Sequence, residues 1–547
     1  MSDQKTGTGA EAGEKTAATA GTSKNLRDSG RLTLLTAISR VLGLIREMTR
    51  AAFLGTNWLG DAFSVAFTLP NFMRRLFAEG SATAAFVPVF SDYLAEGDKK
   101  KTEEFLRAIF TVLLFLVTIA VIVGICTAQW LVLPFKSDHH DEMALLTRIM
   151  FPFLGFVSIA AILQGMLNSM GIFTPSGMAP ILFNLCWIFV PYLIGGRMGN
   201  AARAMAVGVF IGGIAEILCQ IPALKKTGYQ LGLMRIGPAF RHPGTRRVLG
   251  LIAPTIIGMA AYQLNILVSS ALATQAGVGA VSAIQYSLRL QELVLGVFVA
   301  SVGTVLLPDL SRSAKLGNWP SYVHSFGVAL KAIFLITIPV AAFTLIEGQD
   351  IVVLLFKRRQ FGDDSVRLTT AVFFCHMLGL AFIGANRIAA SAFYARGDTL
   401  TPTKAGIASI VVNIAAAWLL VKPLGAAGIA LALSIASAVN TVLLVIDLLR
   451  KNPPEGLREE LAGAGRYSLV LILFSAVAVA ALLGCQKLLP AGGIAGMFRS
   501  QTLGAGLSLL VAGVLFAGVG IGLLALTRDK FAASLVQSFL RRGKKRA

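Results

Sequence analysis

Charge is scarce in this chain: 14% of its 547 residues are Asp, Glu, Lys or Arg while 55% are hydrophobic, against about 25% and 45–50% in soluble domains. That balance excludes an ordinary water-soluble fold. Acidic residues are the scarcer half, 28 against 49 basic ones. The resulting excess is spread over short loops and tails, so it reads as membrane topology rather than as a nucleic-acid surface. Cysteine is sparse as well. Cys126, Cys186, Cys219, Cys375 and Cys485 stand singly, with no CxxC spacing, and read as small buried apolar residues rather than metal ligands or disulfides. The first 29 residues lack the apolar core of about 7–15 residues that a cleavable signal needs, and their Thr, Ala, Gly, Ser and Lys content predicts a disordered tail. Also missing are a G-x-x-x-x-G-K-[ST] loop, an H-E-x-x-H pair and any soluble stretch that could hydrolyse a nucleotide, which argues against ATP-driven transport.

What is there instead is one apolar run after another between Arg31 and Thr527, each near the roughly 20 residues needed to cross a hydrocarbon core of about 30 Å. A stretch such as Phe105 to Leu133 is apolar on every face, without the alternation of a β-barrel strand. The runs predict about fourteen helical spans, near 31–55, 61–90, 105–133, 144–168, 177–196, 202–223, 248–276, 280–308, 322–346, 367–394, 403–421, 425–449, 466–486 and 502–527. Basic residues concentrate in alternate loops: Lys99 to Lys101, then Lys225, Lys226, Arg235, Arg241, Arg246 and Arg247, then Arg312 and Lys315, then Arg450, Lys451 and Arg458. The final Arg541 to Arg546 tail falls on the same side, which places both termini in the cytoplasm. On the opposite side, Ile351 to Arg367 breaks the trend with Lys357, Arg358 and Arg359 and reads as a short interfacial helix.

The two halves repeat at an offset of about 220 to 227 residues. Phe86-Val-Pro-Val-Phe-Ser91 aligns with Leu306-Leu-Pro-Asp-Leu-Ser311, and Leu167 to Pro175 aligns with Tyr394 to Pro402; each Thr-Pro is placed to open a helix. The expected fold is therefore an all-α polytopic membrane protein with two parallel six-helix lobes around a central cavity and two extra C-terminal helices. In residues, this divides into a disordered cytoplasmic tail (1–29), an N-lobe of spans 1–6 (30–226) and a basic cytoplasmic linker (227–247). A C-lobe of spans 7–12 (248–450), spans 13–14 (451–527) and a basic cytoplasmic tail (528–547) follow.

Against this apolar background a few charges stand out. The first span holds Arg40, Arg46 and Glu47; the second opens on Asp61 and carries Asn71, Arg74, Arg75 and Glu79; the eighth holds Arg289 and Glu292, and the tenth Arg387. Each such residue costs roughly 2.5–3.5 kcal/mol at the centre of a membrane helix, so it should meet water or a partner. Arg40 and Arg46 lie about 120° apart around their helix and about 9 Å along it, on different flanks of one cavity. Arg75 and Glu79 are spaced to pair at i,i+4. The competing reading is that these groups only pair with Glu47, Asp61 and Glu79 or snorkel to an interface. An excess of arginine in a wet cavity suits a ligand bearing phosphate or carboxylate groups, because the planar guanidinium binds both bidentately and stays charged. His139 and His140 read as a solvated loop rather than a metal site, and His376 as a packing residue.

Ser39-Arg-Val-Leu-Gly-Leu-Ile-Arg-Glu47, Asp61-Ala-Phe63, Leu69-Pro-Asn-Phe-Met-Arg-Arg-Leu-Phe-Ala-Glu-Gly80 and Ala85-Phe-Val-Pro88 together resemble the signature of the MurJ/MviN lipid II flippase family. The resemblance continues through Leu306-Leu-Pro308 and Phe393-Tyr-Ala-Arg-Gly-Asp398 and covers nearly all of the chain after the tail. It implies membership of the multidrug/oligosaccharidyl-lipid/polysaccharide exporter superfamily. The implied activity is translocation of undecaprenyl-diphosphate-linked disaccharide-peptide from the inner to the outer leaflet of the bacterial cytoplasmic membrane, a transporter's activity and not an enzyme's.

Arg40, Arg46 and Arg289 resemble the family's cavity arginines, and Asp61 and Arg74 resemble further functional positions, giving five expected substrate contacts. Glu47, Arg75, Glu79, Glu292 and Asn71 are the expected gating or ion-pair residues, Glu47 standing where many relatives have Asp. Spans 13 and 14 resemble the part that forms the lipid-tail groove. The resemblance implies lipid II and the bilayer as partners, cell-wall synthesis proteins as candidates for others, and no nucleic acid. It implies no cofactor, with coupling to the membrane potential or to a monovalent ion left open. A flippase for another polyprenyl-diphosphate-linked oligosaccharide and a non-transporting membrane scaffold are the alternatives.

Overall fold

The structure is a computed structural model that describes residues 8–77, 81–296, 300–451, 453–488 and 501–534. It is helical throughout, with no strand among the described residues. By packing, the chain divides into a first unit of residues 1–53 and 62–267 and a second of residues 54–61 and 268–547.

The first unit is built from α1 (Thr8–Leu54), α2 (Trp58–Phe77), α3 (Ser81–Ala95), α4 (Lys99–Cys126) and the short α5 (Ala128–Val132). It continues through α6 (His140–Met150), α7 (Phe153–Ser169), α8 (Thr174–Met198), α9 (Ala201–Leu218), α10 (Ile221–Thr227) and α11 (Ile236–Arg241) into α12 (Pro243–Gln275). Polar residues at the helix starts do capping work: the Asp98 side chain accepts from the amides of Lys100 and Lys101, and Asn200 from those of Ala202 and Arg203. Its core is aromatic, with Phe86 stacked on Phe90 and on Phe105, and Tyr93 stacked on Phe105.

The second unit holds α13 (Ala280–Val294), α14 (Ala300–Lys315), α15 (Trp319–Phe356), α16 (Asp363–Leu378), α17 (Leu380–Ala395), α18 (Leu400–Arg450), α19 (Leu457–Leu488) and α20 (Gln501–Leu526). Within α18 the helix is interrupted at Gly425, whose φ of 56° and ψ of −136° suit glycine alone. A Cβ on Gly428 would lie 2.2 Å from the Leu420 carbonyl oxygen, so the chain turns tightly back here. The two expected spans 403–421 and 425–449 are thus two helices joined by a glycine turn.

The expected spans are mostly helical where they are described, with breaks at 127, 151–152, 219–220 and 379, and the repeat is visible in the elements. Pro88 lies inside α3 as Pro308 lies inside α14, while Pro175 and Pro402 fall in the first turns of α8 and α18. Among the described residues, eight helices are long and apolar enough to cross a membrane, or up to nine if α16 and α17, bent by 40°, form one span. That measure counts α18 once and passes over α1 and α2, which carry Arg46, Glu47 and Arg50, and Asp61, Arg74 and Arg75, inside their apolar stretches.

Three expectations need correction. The helix α1 reaches back to Thr8, into the segment expected to be disordered; Ala, Glu and Lys there favour helix and no proline interrupts them. Residues 1–7 and 535–547 of the expected tails lie outside the described residues. Next, Ile351 to Arg367 is not an interfacial helix: α15 runs on to Phe356 and α16 starts at Asp363. Its charges finish those helices, Arg358 donating to the carbonyls of Leu354 and Leu355, while Asp363 and Asp364 occupy the first turn of α16. Finally, the boundary between the units falls after Leu267, inside α12, rather than before residue 248. The cause is packing: Val248 and Leu249, at the start of α12, join the cores of the first unit.

Candidate functional site

In the first unit the charges of α1 gather on one face. Arg46, Glu47 and Arg50 are spaced by one to four residues and so share a flank of the helix. The Glu47 carboxylate serves both arginines, with Arg46 Nη2 at 2.8 Å from Oε1 and Arg50 Nε at 3.2 Å from Oε2. All three are withdrawn from the surface: Glu47 is 7% and Arg50 4% exposed, and the Arg46 side chain 14%. Two positive groups thus meet on one carboxylate.

Facing this flank is α8. Arg46 Nη1 donates to Asn184 Oδ1 at 3.0 Å, and the guanidinium carbon lies 4.6 Å from the centre of the Trp187 ring. The ring is held by Phe63, Phe67 and Phe183, each edge-on to it. On α2, Arg74 Nε donates to Asn71 Oδ1 at 2.9 Å, and Glu216 of α9 is close enough for its charge and that of Arg74 to act on each other. Arg40 is exposed on α1, and Arg75 is half-buried. Glu79, expected to pair with Arg75, lies outside the described residues.

Asp61 lies in the first turn of α2, as expected. Its carboxylate accepts from the backbone amides of Gly279, at 2.6 Å, and Ser282, at 2.9 Å, at the start of α13. A group expected among the ligand contacts is therefore engaged as the cap of a helix whose own N-cap, Gly279, has no side chain to offer. Around it, Tyr286 donates to the Gly55 carbonyl and Thr56 bonds to Ser365, so the turn between α1 and α2 is fastened within the second unit. Arg289 pairs with Glu292 at 2.9 Å, one turn on, with both partly exposed. The structure thus gathers Arg46 with Glu47, and Asn71 with Arg74, within the first unit, while Asp61, Arg289 and Glu292 belong to the second.

With that geometry in hand, comparison with known proteins is decisive. The sequence model of the family described as "Lipid II flippase MurJ" matches residues 50–499. The chain belongs to the lipid II flippase MurJ family. The "Probable lipid II flippase MurJ" of Treponema pallidum (strain Nichols) is 39% identical over 516 residues, covering 93% of this chain and 97% of that protein. The "Lipid II flippase MurJ" of Burkholderia cenocepacia is 30% identical over 505 residues, covering 91% and 96%. Among solved structures, "Lipid II flippase MurJ, inward closed conformation" matches with a TM-score of 0.74 at 22% identity, over 91% of this chain and 99% of that one. A multidrug resistance MATE family transporter of the MOP superfamily matches with 0.63 at 14% identity, over 80% and 98%. The fold is that of this superfamily, and the chain is a multi-pass bacterial membrane protein and a transporter.

Within the MurJ family fold, four residues at the site escaped the sequence reading. Arg50 continues the spacing of Arg46 and Glu47 and was legible as a third charge on that face. Glu216 is an acid inside an apolar helix, a signal equal in kind to that of Glu47. Asn184 and Trp187 gave none, because an amide or an indole in an apolar run is ordinary. His140 bonds to the Phe135 carbonyl, and His376, 1% exposed, bonds to Ser287 and packs in the core of the second unit.

Proposed function

We propose that this chain moves lipid II, the undecaprenyl-diphosphate-linked peptidoglycan precursor, from the inner to the outer leaflet of the bacterial cytoplasmic membrane, with both its termini in the cytoplasm. Family membership supports the reading, and one observation within the molecule carries the chemistry. Arg46 is withdrawn from the surface and fixed in orientation by Glu47 and Asn184. A diphosphate offers the oxygens that a guanidinium fork binds, and the arginine does not lose its proton when partly dehydrated. The polyprenyl tail stays in lipid, so only the head group needs an aqueous or polar route.

An inside-negative potential favours outward movement of an anion by about 2.3 kcal/mol per charge per 100 mV. We take that potential as the source of direction, with a monovalent counter-ion as the competing source. Collapsing the potential in a reconstituted vesicle while the ion's concentration gradient is held in place separates them, since an electrically driven rate drops and one driven by that gradient persists.

The test of function is depletion of the protein in its host. Outer-leaflet lipid II is scored with an externally added enzyme that cleaves only exposed substrate. Exposure is expected to fall while total lipid II accumulates, and an Arg46→Ala copy that inserts normally is expected not to restore it. Unchanged exposure would instead favour another polyprenyl-diphosphate-linked oligosaccharide as cargo, or a scaffold.

A further inference from the structure

Two uncharged residues meet Arg46 from one face of α8, Asn184 and Trp187, three residues apart. Asn184 bridges two turns of α1: its Oδ1 accepts from Arg46 at 3.0 Å, and its Nδ2 donates to the Ser39 carbonyl at 3.3 Å. Ser39 and Arg46 are seven residues apart, hence nearly eclipsed on the helix. The amide is 4% exposed and cannot be turned over without setting its NH2 against the guanidinium and its oxygen against a carbonyl. Trp187, 1% exposed, sets the plane of the same guanidinium from one side.

A carboxylate in place of Asn184 would hold Arg46 more strongly and would also cancel its charge. A neutral amide and an aromatic face fix direction and plane without adding a second negative charge beside Glu47. We propose that Asn184 and Trp187 are positioning residues that hold the Arg46 guanidinium in a set orientation, still charged, to receive the diphosphate of the transported lipid. The inference rests on the flippase reading above and adds to it how the key arginine is aimed. Planarity gives the arrangement its point, because two parallel N–H bonds to phosphate oxygens form only if the plane of the guanidinium is right.

The test separates this role from packing by reading stability and ligand response on the same variants. Asn184→Asp keeps an acceptor for Arg46 and adds an ion pair, but it loses the donor to the Ser39 carbonyl and sets an oxygen against it; gain and loss offset, so thermal stability of the purified full chain is expected to stay near wild type. Its half-saturation for lipid II translocation in proteoliposomes is nevertheless expected to rise about tenfold, the scale of one weakened charge-assisted hydrogen bond. Trp187→Leu is expected to shift half-saturation in the same direction, with Trp187→Phe restoring it, since a ring face is retained. In parallel, binding of a short-chain polyprenyl diphosphate without sugar or peptide is measured on each purified variant.

Wild-type half-saturation and wild-type binding for Asn184→Asp would overturn the inference while leaving the flippase reading intact. Weakened diphosphate binding in that variant, beside a wild-type protein that moves no lipid II, would sink the flippase reading and leave the aimed arginine standing as an anion site. Loss of stability in Asn184→Asp together with equal loss in Trp187→Phe would show plain packing, and would also overturn it.

Discussion

Asp61 and Gly279, 218 residues apart in the chain, are joined by a 2.6 Å hydrogen bond from the Gly279 amide to the Asp61 carboxylate. The second carboxylate oxygen takes the Ser282 amide, so one acid satisfies two of the orphan donors at the start of α13. Gly279 itself has a φ of +87°, and a Cβ there would stand 2.3 Å from the Thr56 carbonyl oxygen. Residue type at both ends of the bond is thus set by geometry: a short acid on one side and no side chain on the other.

The first prediction concerns that acid. Asp61→Ala removes both acceptors and should cost about 0.5–2 kcal/mol, the range for loss of a helix cap. Asp61→Asn keeps one oxygen for one amide and should lie between the alanine variant and wild type. Thermal melting of the purified protein and cell-wall complementation are the readouts. Equal stability of all three proteins would mean that the cap carries no weight.

Gly55 gives the second. Its φ is +56°, and a Cβ would lie 2.4 Å from the Gln360 carbonyl oxygen and 3.0 Å from its carbon, backbone atoms that cannot rotate away. Gly55→Ala therefore combines left-handed strain, about 1–2 kcal/mol, with a clash that must move the 357–362 turn. A drop in melting temperature larger than that of Asp61→Asn is the expected outcome, while a melting temperature equal to wild type would show that the turn yields freely.

The limits of the sequence reading follow from these residues. Helical architecture, the internal repeat and the charged face of α1 were legible because each is a pattern in composition or spacing: apolar length, recurring Pro, an acid and bases in an oily run. Asp61 was legible as unusual but its partners were not, since nothing local tells that they are amides 218 and 221 residues away. Asn184 and Trp187 were not legible at all, because their meaning comes only from facing Arg46 across 138 or more residues of chain. The three bases Lys357, Arg358 and Arg359 misled for the opposite reason. They looked like a surface feature, whereas the Arg358 side chain closes the end of α15.

Glu47 supplies the third prediction. It is the shared counter-charge of Arg46 and Arg50, and Glu47→Gln would leave two buried positive groups with a neutral amide between them. Removing one partner of a buried pair costs about 3–5 kcal/mol. Expression and melting temperature should fall sharply for Glu47→Gln. Glu47→Asp keeps the charge on a stem shorter by one methylene and should recover most of the loss. Should Gln prove as stable as wild type, the node would have to be balanced by another acid, and Glu216→Gln in the same background is the next variant to melt.

The last prediction is a pH dependence at the turn before α12. Burial against Phe105 and Tyr93 lowers the pKa of His242 below its ordinary 6.5, despite the opposing pull of Glu104. The geometry agrees with a neutral ring, because Nδ1 accepts from the Gly244 amide at 3.2 Å and so carries no proton. For a base with a lowered folded pKa, the contribution to stability is whole above 6.5, where both states are neutral. It is lost as pH falls through 6.5 toward the folded value, because the unfolded ring takes up its proton first. Once protonated, the folded ring can no longer accept from Gly244, and the first turn of α12 should loosen. Hydrogen exchange at the Gly244 amide, corrected for intrinsic rates, is expected to stay protected down through the ordinary histidine range and to lose protection only at lower pH, where the folded ring takes up its proton. His242→Phe preserves the stacking but has no ring nitrogen, so its Gly244 amide should exchange fast throughout. Protection in the wild type that does not change with pH would rule out the neutral acceptor.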